Sequence, residues 1–498
     1  HQLWMLTENN GIICTKGKRM SHFFAKEGQN DGFTDICQDA KGDIYTANIK
    51  GGLYRMKYGT KTFNMIKCTQ TLPIASLFAT TNNIILLGTN GLGLIEYNPR
   101  YSCTSSRNSL NTEIDLKRGK IYSILEDKQG NIWTGLLQKG VFLQPIFNAG
   151  FHYMGYRIGE TNSIGDECLN NIKRTVDGTL WVATDGDGLF SLDINGNLKR
   201  HYTALQVPAA ILGIDEDCYG RLWVGSYLEG CGWIDRITGK YHRLKCTQKG
   251  KAQLVFDVVA DKRGHLWIGT MGAGLLCVDL KTLTPIRIYS HETNRDYSLT
   301  NNYIQQLTMS TDDTNLYVST TSGLSCINTI TGKTLIIAGS NNLLRNDLNV
   351  LDAKDDTADR LWVCTPLGLY IINKNTWLKK LITIRDGLAD DNTASVLIDK
   401  FNRAWVSTSH GLSCIDPKTF NIKNYYVADG LQGNEFNGGV SSKAKDGTMY
   451  FGGMSGLTWF DPLKIKHRNE KYQITITGFL VGNSNIRAGE KSGSYTIT

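Results

Sequence analysis

The sequence predicts an all-β chain of β-propeller blades, on three observations: an aromatic marker recurs at a fixed interval, paired turn residues precede it, and a glycine turn follows it. The stretch DVVADKRGHLWIGTMGAGLLCVDLKT, residues 257–282, shows the unit: an apolar strand, an Asp-x-x-Gly turn, a strand around Trp267, a glycine turn and a strand ending at Asp279. Aligning on Trp267 gives Trp4, Tyr45, Leu86, Trp133, Trp181, Trp223, Tyr317, Trp362, Trp405 and Tyr450, at intervals of about 41 to 50 residues. With about four short strands per unit, that is the period of a propeller blade.

Each part of the unit has a physical reason. Asp39, Asp127, Asp217, Asp261, Asp356 and Asp399 stand six residues before the marker, and Gly42, Gly130, Gly178, Gly220, Gly264 and Gly447 stand three before it. Asp accepts hydrogen bonds from turn amides and Gly supplies positive φ, so together they close a tight hairpin. The marker ring fills the space between neighbouring blades. A small residue two positions later (Ala183, Gly225, Gly269, Ser319, Ser407) should let the next backbone come close. Glycine turns at Gly188, Gly274, Gly323, Gly368, Gly411 and Gly456 then start an alternating third strand.

Taken in order, residues 1–148 hold about four units and form an N-terminal propeller that is incomplete. His1 falls inside a second strand, so opening blades are expected before it. The strand rhythm pauses near FHYMGYRIGETNSIG, and the units marked by Trp181 through Tyr450 then make a seven-bladed propeller over 149–465. Seven blades close a ring without exposed edges. Residues 466–498 leave the repeat for a new alternation (Ile474, Ile476, Phe479), which is too short to bury a core alone and is expected to begin a further domain.

Composition agrees with this and excludes other classes. The chain has 52 Gly and 8 Pro in 498 residues, as a turn-rich β protein should. A net charge of +8 without a basic run argues against nucleic-acid or membrane-surface binding. No apolar run approaches the ~18 residues of a membrane span, and no signal peptide opens the chain. Of the 12 Cys, Cys14, Cys277, Cys326 and Cys414 share one repeat position, where a thiol acts as a small buried hydrophobe. If there is a disulfide, the expected pair lies among Cys218, Cys231 and Cys246.

No site for a cofactor or a metal is expected. The GxG pairs lack a third glycine, and no H-E-x-x-H, C-x-x-C or G-x-S-x-G occurs. A glycan-cleaving propeller is one alternative, but the Ser-x-Asp-x-Gly-x-x-Trp box of such enzymes is out of register here. A glycosidase also needs two carboxylates converging on one cleft. A protein-interaction scaffold is the other alternative.

The repeated LWVGS, LWIGT and LWVCT, the junction FHYMGYRIGETNSIG, the motif DGLQGNEFN and the exit GLTWFDPLKIK resemble the two-component regulator propeller repeats of hybrid two-component systems from Bacteroides-type bacteria. The resemblance implies the periplasmic sensor region of an inner-membrane protein, in which two propellers precede a three-tyrosine Ig-like β-sandwich. A membrane helix and a histidine kinase would follow. It further implies an oligosaccharide ligand, a homodimer that transmits binding inward, no direct nucleic-acid contact by this region, and control of polysaccharide-utilisation genes.

In a propeller, the loops joining second to third strands and fourth to next first strands share one face. The candidates there are Asp185, Asp187, Tyr227, Glu229, Arg295, Tyr297, Arg385, Asp391, His410, Asn434, Glu435 and Asn437. Aromatic faces stack on pyranose rings, and Asp, Asn, Glu and Arg bind vicinal hydroxyls. The same residue types also cap loops. Tyr153, Tyr156 and Arg157 mark the inter-propeller junction, where they seat one propeller on the other or meet sugar.

Overall fold

The computed structural model describes the chain except residues 1, 8–10, 24–31, 49, 108–117, 146–148, 156–163, 166–167, 194–195, 248–253, 292–294, 338–347, 467–477, 482–483 and 488–498. It forms two compact units, 1–465 and 466–498. The second contributes one antiparallel hairpin, Gly478–Val481 with Ser484–Arg487.

The first unit is antiparallel sheet throughout. Its N-terminal part holds four sheets in chain order, two of three strands and two of four. From residue 149 onward the described residues form seven four-stranded sheets. Their first strands, Leu169–Arg174, Ile211–Glu216, Val255–Ala260, Ile304–Met309, Asp352–Asp355, Thr393–Ile398 and Phe436–Lys443, are neighbours in a closed cycle. We number these sheets as blades 1 to 7.

A segment from the start of the ring closes it. Three strands of blade 7 are consecutive in the chain, and the fourth is His152–Met154, which pairs with Leu457–Trp459. Phe151 anchors this strand, packing edge-on against Phe460 at 4.8 Å and Tyr425 at 5.0 Å.

The turn chemistry follows the repeat. At Asp217, Oδ1 accepts the amides of Tyr219 and Arg221, and Gly220 has φ +76°. The second oxygen has a role the sequence reading missed, because it accepts the indole N–H of the marker. Trp223 reaches Asp217 at 2.8 Å, Trp267 reaches Asp261 at 3.0 Å and Trp362 reaches Asp356 at 3.0 Å. An arginine four residues on joins that carboxylate to the next blade. Arg221, Arg360 and Arg403 donate through Nε to Asp217, Asp356 and Asp399, and through a terminal nitrogen to the carbonyls of Leu280, Pro417 and Pro462.

The marker ring sits between blades. Trp223 packs with Val255, Val258 and Leu266 of blade 3, and Trp362 with Val396 and Ala404 of blade 6. Both are fully buried, whereas Trp133 on the last N-terminal sheet is 39% exposed. The ring therefore depends on a following sheet for its burial.

One expectation needs correction. A Cβ at Gly225 would stand 2.5 Å from Val255 Cγ1, and one at Gly269 2.7 Å from Ile304 Cγ2, so side chains fill those gaps instead of backbone. The close backbone approach occurs at Gly213, where a Cβ would meet Val258 N at 2.6 Å. All twelve cysteines are free thiols, Cys218, Cys231 and Cys246 among them. Cys14, Cys277, Cys326 and Cys414 are buried as expected, and burial first of all pushes the last three up to about 12. They are protonated packing groups.

Candidate functional site

The face carrying the second-to-third-strand turns is stitched by main-chain bonds. Asp185 N–H donates to Cys168 O, Met271 to Leu254 O, Ser409 to Asn392 O and Gly411 to Asn434 O. Each turn is thus held against the connection beside it, which makes a fixed platform.

The expected residues are distributed around this platform. In blade 1, Asp185 is exposed, while Asp187 is held by His201, whose Nε2 lies 3.3 Å from its carboxylate and 2.7 Å from its carbonyl. His201 in turn stacks on Phe190 at 4.1 Å. In blade 2, Tyr227 is exposed next to the Glu229–Arg243 ion pair. Near that pair the Tyr241 hydroxyl is buried without a hydrogen-bond partner among the described residues, and burial raises its pKa.

Tyr297 is half-buried against the core of blades 3 and 4, with the Arg287 guanidinium 4.3 Å from its ring centre, so it is a packing residue. Arg295 begins a short 3-10 turn. Arg385 is exposed on a similar turn, which the Thr383–Asp386 capping box closes.

Two candidates prove to be loop locks. Asp391 Oδ1 accepts the Ile384 amide at 2.7 Å, and Asn434 Oδ1 accepts the Val427 amide at 3.0 Å. The bonds are equivalent one blade apart, which is the loop-capping use of these side chains. Asn437 Nδ2 donates to Leu169 O at 2.7 Å and so joins blade 7 to blade 1. His410 and Glu435 remain exposed, His410 lying 5.7 Å from the Tyr426 ring. His410 thus sits beside the loop that carries Tyr426 and Glu435, since Gly411 N–H donates to Asn434 O.

Of the junction residues, Tyr153 lies in the closing strand and donates to Ser455 O at 2.9 Å, within its own blade. Tyr156 and Arg157 lie outside the described residues, as do Ile474 and Ile476.

The ring also encloses an axial cavity of about 640 Å³ that sequence reasoning missed. First strands and first-to-second-strand turns line it, so it opens on the other side from the platform. The first-strand residues paired with the seven markers are Lys173, Asp215, Val259, Thr308, Lys354, Leu397 and Ser442. Five of the seven are polar, and that polarity, visible once the markers are aligned, is the signal that could have found it.

Carboxylates hold the inner strands together. Asp215 accepts Ala260 N–H at 2.8 Å, Asp257 accepts Leu307 N–H at 2.8 Å and Asp352 accepts Val396 N–H at 3.1 Å, each bond reaching the next blade. Lys173 pairs with Asp215, and Lys354 with Asp352 at 3.2 Å. Asp257, 2% exposed, is raised to about 7, first by burial and then by Asp215, against the pull of its two amide donors and Lys354.

Among the described residues no group of three or more His, Cys, Asp or Glu could hold a metal ion, and no helix is long and apolar enough to cross a membrane.

Comparison with known proteins bears on this geometry. Residues 115–137 match the family described as the two component regulator propeller. Histidine kinase P4 of Formosa agariphila is 24% identical over 337 residues, covering 64% of this chain and 24% of that protein. The extracellular domain of the hybrid two component system BT3049 of B. thetaiotaomicron superposes with a TM-score of 0.71 at 20% identity, over 93% of this chain and 60% of that one. The corresponding domain of BT4673 gives 0.53 at 20% identity, over 97% and 66%. The chain spans 24% of the curated relative's length and 60% and 66% of the two solved chains' lengths. On these likenesses, the chain has the fold of the extracellular domains of hybrid two-component systems and carries a match to their regulator propeller repeat.

Proposed function

We propose that the chain is the extracytoplasmic ligand-sensing region of a hybrid two-component histidine kinase, placed in the periplasm. It recognises oligosaccharides from complex glycans and signals through a homodimer, toward a membrane helix and kinase, to control polysaccharide-utilisation genes. The observation that carries this reading is the stitched platform on a fold of that kind. It presents Tyr227, the Glu229–Arg243 pair, Arg385 and His410 to solvent on a rigid frame. An exposed ring with charge-paired polar groups beside it suits the apolar and hydroxylated faces of a sugar. A ligand shifts such a sensor only by its differential affinity for two states.

The reading has the chain bind its glycan without cleaving it. A calorimetric screen against a panel of neutral and acidic glycan fragments should find one class that binds, with no reducing ends released on prolonged incubation. Release of reducing ends would establish a glycosidase instead, and a panel without any binder would remove the oligosaccharide reading.

A further inference from the structure

The axial cavity has an imbalance in how its charges are used. Its carboxylates are already engaged: Asp215 is paired with Lys173, Glu216 with Arg236 and Asp355 with Lys374. Asp217 and Asp261 serve their turns and indoles, and Asp257 and Asp313 accept main-chain amides. The lysines are not balanced in the same way. Among the described residues, Lys443, Lys262 and Lys445 line the cavity without an ion pair.

Lys443 stands out by position. It ends the first strand of blade 7, one residue beyond the residue paired with the marker. The charged residues at that position in other blades have side-chain partners: Arg174 donates to the Tyr450 hydroxyl, Glu216 pairs with Arg236 and Asp355 with Lys374. Lys443 has a neutral partner, the Ile398 carbonyl at 2.7 Å, which uses one of its three N–H donors. It remains accessible to solvent, yet the surrounding wall desolvates it enough to lower its pKa. A partly desolvated ammonium gains most from an anionic partner.

We propose that the axial cavity is a binding site for a small anion, a carboxylate- or sulfate-bearing molecule up to sugar size, held by Lys443 Nζ. Lys262 and Lys445, at the first-to-second-strand turns, also line it. This site is independent of the platform and stands whether or not that face binds glycan.

The test is calorimetric titration of the whole chain at low ionic strength with sodium glucuronate, sodium sulfate and glucose. Glucuronate should bind, glucose should not, and affinity should fall with added sodium chloride. Binding of sulfate as well would make a free oxyanion sufficient, whereas glucuronate alone would require the sugar frame. Lys443→Met should weaken binding at least tenfold and Lys443→Arg should restore most of it. Thermal melts of each variant separate loss of binding from loss of fold. Wild-type affinity in a folded Lys443→Met protein, equal binding of glucose, or no binding of either anion would overturn the proposal.

Discussion

Asp356 shows how much one repeated carboxylate does. One oxygen accepts the amides of Ala358 and Arg360, and the other accepts Arg360 Nε and the Trp362 indole N–H. Removing it strands buried donors, each worth about 1 to 3 kcal/mol. Asp356→Ala should therefore cost about 3 kcal/mol in denaturant unfolding, and a change below about 0.5 kcal/mol would contradict this role. Blade 1 shows the same rule by default: Thr175 takes the Asp position, and the buried Trp181 indole N–H has no partner. The spacing of Asp and Trp was legible in the sequence because the chain repeats it. The bond between them was not, since a six-residue separation gives no direction to either side chain. Asp257 belongs to a second repeated set, since Asp35, Asp257 and Asp352 each stand ten residues before their marker and accept a main-chain amide of the next blade. Its carboxyl, about 3.8 when unperturbed and about 7 here, keeps its proton in the folded state where the unfolded chain has lost it. Stability from this group is fully present below the unfolded value and is lost as pH rises toward 7, by about 4 kcal/mol in all. A carboxyl carbon NMR titration of Asp257 should show a midpoint near 7, and a midpoint below 5 would contradict the assigned environment.

At the scale of the element, the strand His152–Met154 matters out of proportion to its length. It completes blade 7 from the far end of the ring's sequence, and Phe151 beside it is buried in the aromatic cluster of Phe460, Tyr425 and Trp405. Phe151→Ala should cost about 3 to 5 kcal/mol. Because the loss falls on the closure, amide exchange should accelerate first in Phe436–Lys443, Met449–Gly453 and Gly456–Phe460, and uniform acceleration around the ring would contradict that. The sequence showed a pause in the rhythm here but not a strand, since three residues carry no period. First strands were legible as apolar runs, and their tight contacts were not. Gly213 approaches the backbone of blade 3, so Gly213→Ala should cost about 2 kcal/mol, while an unchanged melting temperature would show that the blades can part freely.

At the scale of the molecule, the ring is a rigid frame with two different openings. Repeat alignment located the platform, because loop position follows from strand order. It could not separate residues that lock loops from residues left free. Asp391, Asn434 and Asn437 proved to be engaged, while Tyr227, Arg385 and His410 are exposed. Asp, Asn and Glu serve both purposes, and only three-dimensional neighbours tell them apart. The axial cavity escaped because its lining comes a few residues from each blade, scattered along the chain from Asn171 to Lys445. The most direct measurement of the central functional claim is hydrogen exchange on the chain saturated with whichever glycan fragment binds. Protection should gather in the platform loops around Asp185, Tyr227, Arg385, His410 and Glu435. Protection confined to other surfaces, or none at all at saturation, would contradict it.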